Sequence, residues 1–279
     1  MTDLHRNGKS FIAGSAVGTL GGLIGLGGAE FRLPVLVGVF RLNTLEAIIL
    51  NKAMSLIVVT SGLLFRSSTI SFDSLFGHSD IVLNLLAGSL IGAWLGAGHA
   101  ARILPERLNL IVFVLLSGLG LLMLIESWLD VNNASAPFFQ HDAVRLLVGL
   151  GSGFAIGIVA AMIGVAGGEL LIPTIMLLYG LDIKLAGSLS LVIGIPTMLV
   201  AFIRYSGAVA FAVLNKERQL FRWMMIGSIA GTLVGGTMLG LVPTHYLIKL
   251  LGIVLLISAI KVFLHMRICS QEVSDVARR

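Results

Sequence analysis

Two carboxylates, Glu30 and Glu169, stand in nearly matching glycine-rich stretches of an otherwise apolar chain. Residues 24–34 read IGLGGAEFRLP and residues 163–173 read IGVAGGELLIP. Gly25, Gly27 and Gly28, with Gly164, Gly167 and Gly168 in the second stretch, weaken a helix and let backbones approach closely. A helix broken in this way frees backbone N–H and C=O groups, which protein or a wet cavity must satisfy inside a membrane. The short helix that restarts after each break turns a partly positive N-terminus inward, an anion site in outline. A bland alternative is that the glycines only pack helices, as small-xxx-small contacts do. That reading suits Gly14/Gly18/Gly22, Gly88/Gly92/Gly96 and Gly227/Gly231/Gly235 better than the two breaks.

The side chains near the breaks divide by role. A carboxylate in a membrane costs about 3 kcal/mol or more, so Glu30 and Glu169 are candidate proton carriers. They are equally candidates for capping the freed N–H groups of the next turn. Arg32 faces Leu171 in the other copy; it can pair with Glu30 or grip an oxyanion bidentately. Asn51, Ser188 and Ser190 offer neutral donors, with Asn51 and Ser190 in register. Lys52 faces Leu191 and sits where it can either line the site or snorkel to an interface. Arg66 reads as an outer-loop charge and Arg204 as a topological anchor. The predicted substrate site is therefore Gly27, Gly28, Glu30, Arg32, Asn51, Gly167, Gly168, Glu169, Ser188 and Ser190.

These positions belong to an internal duplication. At an offset of 139 residues Gly18 also meets Gly157, Ala47 meets Ala186, Ser67 meets Ser206 and Gly88-Ser89 meets Gly227-Ser228. A shared offset over about 80 residues without a gap indicates a repeat, a frequent plan of secondary transporters. Hydrophobic residues make up 57% of the 279 and charged ones only 12%, against about 25% charged in soluble domains. The fold class is an all-α polytopic membrane protein. It has two inverted repeats, each a broken or re-entrant helix hairpin plus three transmembrane helices, about eight to ten helical segments in all. The first repeat is expected over 1–128, an extracytoplasmic linker over 129–142 and the second repeat over 143–279, together one transport domain.

With the N-terminus inside, Arg6, Lys9, Arg41, Arg102, Arg107, Lys216, Arg218 and Arg222 gather in inner loops, while Arg145 and Lys184 lie outside. The positive-inside rule then places both termini in the cytoplasm. The basic residues are interspersed with apolar spans rather than grouped on a soluble face, which argues against nucleic acid as a partner. Cys269 is the single cysteine; no disulfide, metal site or cofactor is expected. The absence of HExxH, GxSxG and Walker patterns argues against an enzyme and against ATP-driven transport by this chain.

A G-x-G-G-G-x-x-x-x-P signature carried once per half resembles the sulfite exporter TauE/SafE family, the TSUP permeases. Gly25 to Ala29 followed by Pro34 matches it with alanine at the third glycine. Gly164 to Gly168 followed by Pro173 matches it with alanine at the first. The stretches beginning at Ala47 and at Ala186-Gly187-Ser188 resemble the small-residue segment that follows. The resemblance covers essentially the whole chain and implies a permease for sulfur-containing anions such as sulfite, thiosulfate or sulfonates. The partners so expected are a small anion, protons and the lipid bilayer, with the oligomeric state left open. An anion channel or a regulatory membrane protein without alternating access is the competing expectation.

Overall fold

The computed structural model describes residues 3–42, 44–99, 141–163, 167–205, 213–257 and 259–260, with isolated pairs between 113 and 125. The chain there is helical: α1 (Asp3–Ile24), α2 (Ala29–Gly38), α3 (Thr44–Arg66), α4 (Phe72–Phe76), α5 (Ser79–His99), α6 (Asp142–Ile163), α7 (Gly168–Tyr179), α8 (Ile183–Tyr205), α9 (Arg218–Met238) and α10 (Thr244–Ile257). The 139-residue offset reproduces both ends of α1 in α6, of α3 in α8 and of α5 in α9, and the start of α2 in that of α7. Four of the described helices, α3, α5, α6 and α8, hold stretches long and apolar enough to cross a membrane. Residues 100–112 and 126–140, which include part of the end of the first repeat and nearly all of the linker expected over 129–142, lie outside the described residues. The surface helix α4, capped by Ser71 accepting from the Ser74 N–H, has no counterpart among the expected segments.

Glycine decides how the long helices meet. A carbon added to Gly14, Gly18 or Gly22 of α1 would stand 2.2, 2.1 or 2.6 Å from the carbonyl oxygens of Met224, Ser228 and Thr232 on α9. The fit is reciprocal, because Gly227, Gly231 and Gly235 press equally on Phe11, Ser15 and Thr19. Both series ascend together, so α1 and α9 run parallel. The same interlock joins α5 to α6, with Gly88 and Gly92 on the Leu150 and Phe154 carbonyls and Gly153 and Gly157 on those of Leu85 and Ser89. Each tight pair therefore takes one helix from each half. Without a hydrophobic drive between helices in lipid, such close backbone contact is what holds them together.

Between these pairs, α3 and α8 cross antiparallel. Arg66 at the end of α3 meets the start of α8, while Val59 shares a buried cluster with Leu191 and Met198. Both short helices double back. Gly28 lies against Val17 and Gly21 of α1, and Gly167 against Ile156 and Ala160 of α6. Leu36 and Leu42, at the far end of α2, then join Leu50 of α3 and Met224 of α9 in one cluster, with Ala13 packed on it. Arg6 bonds Glu217 and Lys216 bonds Glu46, so the starts of α1, α3 and α9 share one end of the molecule. The Glu46 carboxylate also holds the exposed Lys216 ammonium above its usual pKa.

Replacing Gly18 by Leu should break the α1–α9 interlock and cost at least about 3 kcal/mol, since its carbonyl neighbour cannot retreat. Gly8→Ala, with open space around it, should leave the unfolding midpoint in detergent unchanged or raise it by up to about 1 kcal/mol. Comparable midpoints for the two variants would remove the interlock as the source of stability.

Candidate functional site

Both breaks are built by backbone rather than by side chains. Gly25, Gly27 and Gly28 have φ of 96°, 79° and 70°, and Gly167 has φ of 75°, a region that costs other residues roughly 1–2 kcal/mol. Gly28 and Gly167 are the N-caps of α2 and α7, and neither helix has a side-chain cap bond. Their first turns close on the glycine carbonyls, through Arg32 N–H to Gly28 and Leu171 N–H to Gly167. Pro173, inside α7, withdraws the N–H that would bond the Glu169 carbonyl.

The two breaks touch. A carbon on Gly168 would lie 3.1 Å from Leu26 Cα and 3.3 Å from the Gly25 carbonyl oxygen. Gly25 in turn abuts the backbone of Gly187 near the start of α8, and Ser190 Oγ donates to the Gly25 carbonyl at 3.0 Å. The N-termini of α2 and α7 therefore converge on one region, with α8 laid against it.

Around this contact the predicted residues separate into two groups. In the first, the buried Arg32 guanidinium donates to Ser55 Oγ at 2.9 Å, and to Asn51 Oδ1 and the Gly27 carbonyl at 3.4 Å each. Asn51 returns a bond from Nδ2 to the Ala29 carbonyl at 3.0 Å. Arg32, Asn51, Gly27 and Gly28 are thereby brought together, with Ser55 as a member the sequence reading missed. In the second group, Ser188 accepts from Arg66 Nε at 3.0 Å and donates to the Lys184 carbonyl. Glu169 is buried at the first turn of α7, 8% exposed. The side chains of Glu30 and Arg204, like residues 164–166, lie outside the described residues.

Arg66 departs from its expected place, and one of the two readings of Lys52 falls. Arg66 is no loop charge: it is 1% exposed and ends α3 inside the protein. Its Nη1 donates to the Gly22 and Leu23 carbonyls at 2.9 Å each, and its Nη2 to the Lys184 carbonyl at 2.7 Å. Those α1 carbonyls lose their helical partners because Leu26 N–H turns back to Gly21 at the break. Lys52 does not snorkel either; it is buried, with Nζ 3.4 Å from the Ala161 carbonyl near the end of α6. The unmatched position of Lys52 against Leu191 was already visible in the sequence, and the unmatched position of Arg66 against Tyr205 is the signal that would have found Arg66.

The family model described as sulfite exporter TauE/SafE matches residues 10–262. Among curated proteins, the chain is 23% identical over 265 residues to a "Probable membrane transporter protein YunE" of Bacillus subtilis (strain 168), covering 88% of this chain and 93% of that one. No solved structure matches significantly.

At the breaks, Gly28→Ala should be penalised twice, by its positive φ and by Val17 lying 2.7 Å from the added carbon. The cost should be about 2 kcal/mol or more. Gly38→Ala, with nothing near it, should leave the unfolding midpoint within about 0.5 kcal/mol. Equal effects would show that the break tolerates side chains.

Proposed function

The chain belongs to the sulfite exporter TauE/SafE family, a family of membrane transporters rather than enzymes, and from that premise we propose that it is a secondary carrier of small sulfur-containing or related organic anions, such as sulfite or sulfonates. The observation that carries the reading is the meeting of the two breaks. It sets the start of α7 at Gly168 against Leu26 and Gly25, just before the start of α2 at Gly28–Ala29, where the buried Arg32 bonds the Gly27 carbonyl. Helix N-termini supply N–H donors and positive potential, and a guanidinium supplies a planar fork for an oxyanion.

In this reading the halves are inverted repeats, 1–128 and 143–279 with an extracytoplasmic linker 129–142, forming one transport domain. Its support is the helix directions: α1, α3 and α9 run one way while α5, α6 and α8 run the other, so each helix opposes its repeat mate. The end that gathers Arg6, Glu46, Lys216 and Glu217 is the cytoplasmic one, with both termini there, in a bacterial inner membrane.

Glu30 and Glu169 carry the coupled proton. An ionised carboxylate repels an anion at the breaks, whereas a protonated one can donate to it, so proton and anion favour each other's binding. Arg32 binds the anion. Asn51 and Ser55 hold that guanidinium in place, and Ser190 holds the first break against α8.

In proteoliposomes, radiolabelled sulfite should show trans-stimulated counterflow; a flux without it would make the protein a channel. Arg32→Ala should raise the sulfite KM about tenfold, the loss of one charge-assisted contact, and Arg204→Ala should do much less. Equal effects would take Arg32 out of the site. Uptake should rise toward acid pH in the parent and lose that slope in Glu30→Gln or Glu169→Gln. A slope kept in both would end the proton assignment.

A further inference from the structure

Gly22 and Ala161 stand at the same place in the two repeats, 139 residues apart. The carbonyl of each meets a buried cation, Arg66 for Gly22 and Lys52 for Ala161. Both cations lie on α3, fourteen residues apart, or about 21 Å along its axis. The repeat mate of α3 carries Leu191 and Tyr205 at these positions. A single helix therefore holds the C-terminal ends of both broken helices, and the duplication has been made unequal to achieve it.

The two contacts also sit at opposite ends of the central crossing. Arg66 joins the end of α1 to the first turn of α8, where a carbon on Gly187 would lie 2.4 Å from the Ile24 carbonyl oxygen and 2.8 Å from Arg66 Nη2. Opening that end requires α1 and α8 to part, and the Arg66 fork bonds both. Lys52 sits nearer the start of α3, on the side where Ala47 packs with Leu36, Leu42 and Leu220. It links α3 to the end of α6, the broken helix of the other repeat.

We propose that Arg66 and Lys52 are paired positioning residues of the transport cycle. Each latches the C-terminal end of one broken helix to α3 and closes one face of the protein. Movement of α3 thereby reaches both breaks, so that one face opens while the other stays shut. The proposal rests on the carrier reading of the breaks, but its first test needs no substrate.

In a Cys269→Ser background, a cysteine replaces Ala186 or its repeat mate Ala47, both fully buried. A membrane-impermeant maleimide is then added to right-side-out or inverted vesicles. Arg66→Gln should raise labelling at Ala186→Cys about tenfold from the linker side and leave Ala47→Cys unchanged, a shift of one decade in the closed-to-open ratio. Lys52→Met should do the reverse from the other side. Labelling unchanged in both variants, or raised equally at both reporters, would reduce the cations to static caps and overturn the proposal. Should Arg66→Gln fail to fold, Ser188→Ala removes one acceptor while keeping the guanidinium. It should raise labelling at Ala186→Cys about threefold, and no rise would be equally decisive against the latch. In sulfite counterflow, Lys52→Met and Arg66→Lys should lower turnover about tenfold with KM within about twofold. A change in KM alone would place these cations at the anion and not at the gates. If labelling responds as expected while sulfite shows no counterflow in the parent, the latches stand and the sulfite reading falls.

Discussion

The structure turns on what happens to a backbone carbonyl when a helix stops inside an apolar protein. At the first break the chain leaves α1 through Gly25, and the carbonyls of Gly22 and Leu23 lose the N–H groups that a continuing helix would supply. Water cannot be relied on there, and an unbonded buried carbonyl costs about 1–3 kcal/mol. Arg66 answers with two bonds to those carbonyls and two more to α8. A guanidinium suits the task because its donors are fixed in a plane and aim at several acceptors at once. Once α1 is tied in this way, its end, the end of α3 and the start of α8 have fixed relative positions, and the rest of the centre follows.

The glycine interlocks serve the same constraint at longer range. Broken helices bring fewer side-chain contacts to their neighbours than continuous ones, so the long arms of the hairpins need strong partners. α1 finds one in α9 and α6 finds one in α5, each at backbone-to-backbone distance. Because each pair crosses between the halves, neither half is a self-contained bundle. The repeat is a unit of sequence, while the stable unit is the exchanged whole.

Much of this was legible in the chain. The matching stretches around Glu30 and Glu169 placed the breaks, and the offset between them recurs at both ends of three helix pairs. Four-residue glycine spacing marked the helix faces that interlock. Each short helix begins on a glycine in the left-handed region, whose own carbonyl accepts the first helical bond. Arg66 was missed because a cation at the end of an apolar span is ordinarily an interface anchor, and sequence position alone does not separate an end facing lipid headgroups from an end turned inward. Ser55 was missed for another reason. A small hydroxyl in a helix normally bonds its own backbone, and its service to Arg32 depends on how α2 lies on α3. Asn51 and Ser190 were found together through register, yet both act on the first break, Asn51 from α3 at the start of α2 and Ser190 from α8 just past the end of α1.

For the anion carrier proposed above, charge at the breaks is where the unequal arrangement would act. A broken helix sets about half a negative charge at its C-terminal end beside about half a positive charge at the next N-terminus. Left alone, the two nearly cancel for a ligand a few ångströms away. Arg66 at the Gly22 carbonyl and Lys52 at the Ala161 carbonyl each bring a full positive charge to the negative partner. The N-termini of α2 and α7 then keep their potential, and Arg32 adds to it. What opposes this positive field is the pair of carboxylates one residue beyond each helix start. In the proposed coupling, the ionised carboxylates would offset the cations and the protonated ones would release the field. In the carrier proposed above, the same backbone break that demands cations for its carbonyls would also be the place where a proton and an anion are coupled.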